Sequence, residues 1–486
     1  MVQINFEGAE YQSDGSFSTT AYTFKGDQET GWDILRENRL HMKLGPGYVP
    51  VETRYCGVCS TDLARRYLPH PLPQITGHEV VGRLHDQWVV VEINGSHLAR
   101  NQASHCTFCK WGLANHCPDR ITLGINRLPG GFAPWLLAPC NSIVPIPAGV
   151  DPLTASLVEP LAAAFQAVEV TAPRNGDRVA VLGPRRLGML ILPALRQFRE
   201  VHGLDFEITA LARHAPLLDL AARVGADQRV NLTADGKPEP FDIVFDTTGS
   251  PDGFELALSL AKRVLHLKST HGREVMGMEH LSDMVVDELA LLPYSPQHLQ
   301  FAWPSLPWVN HHVFISETVS ENIVHEISAT RQTHIMSIPK AWSTLSQSAE
   351  PLANARLPRF DLAVVSSLEE VDAVTRPVQG ASLVRPGGAI LLADGKRTGS
   401  ALEAALARGL QVHTSRCGNF RKALAVLEHQ PRISSVLVEE MITQQFPLAQ
   451  IGQAFEIAAD SRKSIKVIVS PSHKPHGIPS SSESGF

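Results

Sequence analysis

A thiol, a hydroxyl, an imidazole and two carboxylates recur at short spacing early in the chain: Tyr55-Cys56-Gly57-Val58-Cys59-Ser60-Thr61-Asp62, then Gly77-His78-Glu79. Cysteine thiolate, neutral histidine and carboxylate are the donor types of a catalytic zinc centre that keeps one position open for substrate. A further carboxylate, Glu159, stands in Val158-Glu159-Pro160-Leu161-Ala162, just before an alanine-rich apolar segment that reads as a helix. Taken singly, each cysteine or histidine is most simply a buried core residue; their order along the chain is what points to a metal. Cys56-x-x-Cys59 also reads as a redox pair, but such a pair leaves the downstream Gly-His-Glu unexplained.

In these motifs the chain resembles the zinc-dependent medium-chain alcohol and polyol dehydrogenases. The Glu-Pro-Leu-Ala form is closer to the sorbitol, threonine and glucose dehydrogenase branch than to the ethanol enzymes. The resemblance implies Cys59, His78 and Glu159 as zinc ligands, with Glu79 a near or alternating fourth. It implies Thr61 as the hydroxyl that takes the substrate proton. Asp62 is placed to orient the His78 ring, as metal-bound histidines usually require. One departure touches the relay: the family's histidine three residues after the hydroxyl is Ala64 here, so proton exit needs water or His70.

The same resemblance implies a structural zinc lobe of four cysteines. Cys106, Cys109 and Cys117 match its last three places, while the first is Ala103, which cannot bind metal. Structural zinc is normally four-coordinate, so His97, His105 or His116 would have to substitute. The alternative is a lobe that kept its shape without its metal.

A dinucleotide site is expected further on. Asp177-Arg178-Val179-Ala180-Val181-Leu182-Gly183 is a short apolar strand running into a glycine, and an apolar helix follows. Strand, glycine turn and helix N-terminus form the usual seat of a pyrophosphate. Gly183 and Gly188 hold the first and last glycine places, but Arg185 stands in the middle one, where glycine lets the backbone approach the phosphates. That arginine must either reach a phosphate or obstruct it. The second strand ends at Arg213 with no acid for the ribose hydroxyls, which favours NADP, with NAD the alternative. Thr248 and Gly249, after the strand Phe241-Asp242-Ile243-Val244-Phe245-Asp246, are expected to line the same crevice.

At 486 residues the chain exceeds one ordinary domain. A hydrophobic share of 43%, a charged share of 19% and a net charge of −6 describe a globular chain with no basic nucleic-acid surface. The seven cysteines suit metal ligation in a reducing cytoplasm better than a disulfide framework. No basic-then-apolar leader opens the sequence, and no apolar run approaches the roughly 18 residues of a membrane span. The expected fold class is α/β. An irregular β-barrel, GroES-like catalytic domain (1–165, with about 421–470 returning to it) precedes a doubly wound parallel-sheet Rossmann domain (166–292). The family pattern then breaks for an inserted α/β unit over 293–412, where Phe360-Asp361-Leu362 and Pro386-Gly387-Gly388 echo Phe241-Asp242-Ile243 and its following strand. This insert could cover the cleft, make an oligomer contact or have no chemical role. The Ser- and Pro-rich tail, 471–486, is expected to be disordered.

The resulting functional expectation is hydride transfer between a secondary alcohol (polyol, sugar or amino alcohol) and a nicotinamide, with Zn2+ and NADP as cofactors. By resemblance the protein would be a cytoplasmic homodimer or homotetramer with no nucleic-acid or membrane partner. The alternatives are a protein of this fold that has lost dinucleotide binding and serves as a scaffold or ligand sensor, and a zinc-free reductase of the quinone oxidoreductase type.

Overall fold

A computed structural model of the chain describes residues 2–68, 70–102, 106–110, 112–268, 274, 276, 278–300, 312–346, 359–378, 382–393, 399–460 and 463–471. Ala103, His105 and the tail beyond 471 lie outside them. Two compact units emerge: residues 1–105, 119–162 and 419–486 form one, and residues 106–118 and 163–418 the other. The expected combination of a β-rich unit with a doubly wound parallel sheet is the fold the chain adopts.

The first unit is built mainly from antiparallel strands. Val2–Tyr11, Phe17–Asp27, Gly31–Arg36 and Arg39–Leu44 form a meander, joined at one edge by Gln74–Ile75. This region reads weakly in the sequence because several outward positions, such as Val2 and Leu40, are apolar and exposed, which blurs the two-residue alternation. A second sheet carries Tyr48–Gly57 at its centre, paired with Glu79–Leu84, Trp135–Pro139 and the distant Lys466–Ser470. Tyr48–Gly57 ends just before Cys59 and Glu79–Leu84 begins just after His78, so antiparallel pairing brings the two motifs to one end of this sheet.

The second unit centres on one sheet of eleven strands. In chain order they are β1 (Arg178–Leu182), β2 (Glu207–Ala212), β3 (Gln228–Asn231), β4 (Phe241–Asp246), β5 (Ala261–Leu267), β6 (Ala290–Pro293), β7 (His312–Ser316), β8 (Gln332–Met336), β9 (Phe360–Val365), β10 (Val384–Leu392) and β11 (Gln411–Thr414). Their spatial order is β3-β2-β1-β4-β5-β11-β6-β10-β9-β7-β8. Helices α1 (Leu187–His202), α2 (Pro251–Leu260), α3 (Glu321–Ser328) and α4 (Leu368–Thr375) follow β1, β4, β7 and β9. Strands such as Val179–Leu182 and Leu362–Val365 are buried throughout, as expected when both faces of a parallel sheet are covered. One face packs Phe241, Leu265, Phe314, Phe360 and Val412 into a single core, and the other packs Leu292, Val313, Leu362 and Leu391. At about 25 cal/mol per Å² of apolar surface, each buried phenylalanine of this set contributes on the order of 2–3 kcal/mol. Among the described residues, no helix is long and apolar enough to cross a membrane.

Candidate metal and dinucleotide sites

In the first unit, one carboxylate ties the two expected metal motifs together. Asp62 is buried; its Oδ2 accepts the Cys59 N–H at 2.9 Å and its Oδ1 accepts the Gly77 N–H at 3.1 Å. The same Oδ1 lies 3.4 Å from Nδ1 of His78. Asp62 therefore fixes the backbone at Cys59 and the backbone and ring at His78, the orienting role that metal-binding histidines need. Burial alone would push the His78 imidazole down, but the Asp62 carboxylate and the Cys59 sulfur carry it well above its usual range. Thr61 Oγ1 is 3.8 Å from the Cys59 sulfur.

Cys56 is fully buried, and burial first, then Asp62 and Glu79, push its thiol well above the usual range. A reactive redox thiol requires the opposite shift. Glu79 is also buried, and its carboxylate is in close ion-pair contact with Nζ of Lys466. Lys466 donates a further bond to the Val58 carbonyl at 3.2 Å. Sequence reasoning passed over Lys466, although a lysine inside the apolar run Ile465-Lys466-Val467-Ile468-Val469 requires a buried counter-charge. Glu159 stands half-buried in the first turn of the helix Val158–Thr171. Among the described residues, Cys59, His78 and Glu159 are not drawn into a group of three with their donor atoms at metal-holding distance.

In the second unit, Cys106, Cys109 and Cys117 do form such a group, their sulfurs within 4.8 Å of one another. The short helix Thr107–Lys110 turns Cys109 back beside Cys106, and the 3-10 turn Ala114–His116 delivers Cys117. All three are buried, packed with Phe108 and Leu113, and none is in a disulfide. Converging, unoxidised cysteines are the donor set that zinc selects. Of the histidines considered as a fourth ligand, His116 is engaged with Glu288, Nε2 to Oε2 at 2.7 Å.

The crevice expected to take a dinucleotide lies at the carboxyl ends of β1, β2 and β4, where the strand order reverses between β1 and β4. Gly183 follows β1 with φ of +77°. Gly188 lies in the first turn of α1, where a Cβ would come within 2.4 Å of Thr247 Oγ1 and 3.0 Å of the Gly183 carbonyl. Only a glycine lets helix and turn approach this closely. Arg185 is half-buried in the turn, and Arg213 is exposed just past β2. Thr248 donates to Asp246 Oδ1 from its N–H at 2.9 Å and its hydroxyl at 2.7 Å. Gly249 takes φ of +65°. Two participants were not anticipated. Thr247 Oγ1 shares its proton between the Leu182 and Gly183 carbonyls, each at 2.9 Å. Gly253, in the first turn of α2, has no room for a Cβ, which would lie 1.8 Å from Thr248 Oγ1. The signal available was a glycine one turn into a helix, a costly placement that implies close approach.

Residues 45–148 match the alcohol dehydrogenase GroES-like domain. Over 195 residues the chain is 31% identical to a sorbitol dehydrogenase of Halalkalibacterium halodurans, a match covering 38% of this chain and 55% of that one. Over 240 residues it is 27% identical to an L-threonine 3-dehydrogenase of Pectobacterium carotovorum, covering 44% and 67% of the two chains. The chain thus spans little more than half the length of the first of these relatives. The crystal structure of L-idonate 5-dehydrogenase from Escherichia coli superposes with a TM-score of 0.57 at 16% identity, covering 96% of this chain and 99% of that one. Residues 45–148 thus carry an alcohol dehydrogenase GroES-like domain, and the chain is similar in part of its length to medium-chain alcohol and polyol dehydrogenases.

Proposed function

We propose that the protein is a zinc-dependent dehydrogenase that moves a hydride between a secondary alcohol and a nicotinamide. The observation that carries this reading is the buried Asp62 carboxylate, which binds the backbone at Cys59 and at Gly77 and faces the His78 ring. Cys59, His78 and Glu159 would hold the catalytic zinc, with Glu79 kept beside it by Lys466. When bound, zinc lowers the pKa of an alcohol oxygen and so favours the alkoxide near neutral pH. Thr61 takes the alcohol proton and passes it outward. Gly183, Gly188, Thr248 and Gly249 line the nicotinamide cofactor's seat, with Arg185 and Arg213 as cations for its phosphates. Arg213, with no acid beside it in sequence, supports NADP over NAD. The sorbitol and threonine enzymes among the relatives support a polyol or amino alcohol as substrate. In the cysteine lobe we propose a structural zinc on Cys106, Cys109 and Cys117.

The test is a zinc-to-protein ratio on the purified chain, taken with a panel of secondary alcohols and each nicotinamide. Two zinc ions per chain and alcohol-dependent reduction of NADP are expected. One ion means an empty cysteine lobe. Arg185 in the middle glycine place favours the competing reading, a scaffold of this fold without dinucleotide; failure of both nicotinamides to bind would establish it.

A further inference from the structure

The eleven-stranded sheet repeats itself about its middle. From one edge the strands run β3-β2-β1-β4-β5-β11, and from the other β8-β7-β9-β10-β6, so the halves match strand for strand apart from the extra edge strand β3. Every pairing in this sheet is parallel except where β11 meets β6, at Leu291 and Val412. A single antiparallel seam between two parallel half-sheets is the arrangement expected of two like units set back to back. The likeness holds at the level of register. Val179 in β1 pairs with Ile243 in β4, the third residue of Phe241-Asp242-Ile243. Val313 in β7 pairs with Leu362 in β9, the third residue of Phe360-Asp361-Leu362. On the other side, Arg178 pairs with Glu207 as His312 pairs with Gln332.

Side chains repeat the correspondence. Asp242 accepts the Arg178 N–H at 2.8 Å, and Asp361 accepts the His312 N–H at 2.9 Å, so each half-sheet is pinned at the same point by the same residue type. Ser250 caps α2 through the Gly253 N–H at 3.1 Å, and Ser367 caps α4 through the Glu370 N–H at 3.2 Å. Shared strand order alone would follow from the fold. Shared register, pinning aspartate and capping serine are independent of it.

The halves differ at the third residue past the capping serine. In the first it is Gly253, which has no side chain and lies directly against Thr248. In the second it is Glu370, whose side chain runs back across the carboxyl ends of β7 and β9. Its Oε1 accepts from Ser316 Oγ at 2.5 Å and Thr318 Oγ1 at 2.8 Å. Its Oε2 accepts from Thr318 Oγ1 at 3.0 Å, the Ser366 N–H at 2.8 Å and Ser366 Oγ at 3.1 Å. A glutamate at this position of a helix commonly returns to the backbone ahead of the cap. The hydroxyls after β7 go beyond that pattern, because Ser316 ends the strand that corresponds to β1 and Thr318 lies in the turn that follows it, where the first copy has its glycine turn. Donors converging at the carboxyl ends of neighbouring parallel strands make a seat for an anion.

We propose that β7, β8, β9 and β10 are a degenerate second copy of β1, β2, β4 and β5, and that Glu370 fills its anion seat from within the chain. The second copy is thereby closed to phosphate-bearing ligands. This inference stands apart from the proposed dehydrogenase activity, and its test uses no cofactor. In the full chain, Glu370→Ala should lower the thermal midpoint by about 2–8 °C. Added formate should restore part of that loss in the variant and leave the wild type unmoved. Ser316→Ala should destabilise the wild type and cost nothing further in the Glu370→Ala background. A folded Glu370→Ala protein that ignores formate, or a Ser316→Ala cost equal in both backgrounds, overturns the proposal. Should Glu370→Ala fail to fold, Glu370→Gln replaces it: weakened coupling to Ser316→Ala supports the closure, and unchanged coupling overturns it.

Discussion

Lys466 and Glu79 show how strongly a single buried charge constrains its surroundings. Both are almost fully enclosed and in direct contact. Desolvating such a pair offsets much of its attraction, so its net stabilisation is small, yet removing one partner leaves a bare buried charge. Lys466→Ala should therefore destabilise by about 3–5 kcal/mol, and adding Glu79→Gln should recover much of that. Denaturant unfolding of the two single variants and the double variant reads the cycle directly. Additive losses would mean the pair is not coupled. At the same scale, Thr61→Val should reduce kcat by about 100-fold or more while leaving nicotinamide affinity unchanged. Comparing turnover with the dissociation constant for NADPH checks this, and unimpaired turnover removes Thr61 from the proton path.

At the scale of elements, the meander 2–44 carries its own acid sensitivity. Glu10 on the strand Val2–Tyr11 is buried and held bidentately by Arg36, at 2.6 and 2.8 Å. Burial alone would raise its pKa, but the hydrogen bonds from Arg36, Tyr22 and Thr20 hold it below the usual value of 4.5. A carboxyl whose pKa is lower folded than unfolded stabilises above its unfolded value, and that contribution is lost as pH falls through the folded value. Thermal midpoints of the wild type should therefore fall more steeply below about pH 4.5 than those of Glu10→Gln, which should be the less stable protein at pH 7. Parallel slopes would show that Glu10 is not the group being titrated.

At the scale of the molecule, two half-sheets raise the question of how many cofactors one chain takes. The glycine turn after β1 and the seat filled by Glu370 after β7 predict one nicotinamide per chain by calorimetric titration. Gly253→Ala should abolish it, because the added methyl displaces Thr248. Two equivalents would mean the second copy also binds.

The local chemistry was the most legible part of the sequence. The 106–117 cysteines stand out in the sequence and converge in the fold, whereas Cys59 and His78 stand out equally but are joined through Asp62 and not grouped with Glu159. The glycine turn after β1 was also readable, because hydrophobic strand and turn adjoin in sequence. Long-range partnerships were not. Lys466 and Glu79 meet only through strands far apart in the chain, and Thr247 acquires its role from the carbonyls across the sheet. The second copy showed only as two short echoes, because register and capping, which carry the likeness, survive almost any choice of apolar side chain.

The seam between β6 and β11 also dictates an order of assembly. β11 completes the half-sheet begun by β1, yet the ribosome makes it only after the whole of the second copy. At about 5–20 residues per second, β5 waits roughly 7–30 s for its proper neighbour. During that interval it presents an unpaired strand edge while β6, already made, is free to dock in its place.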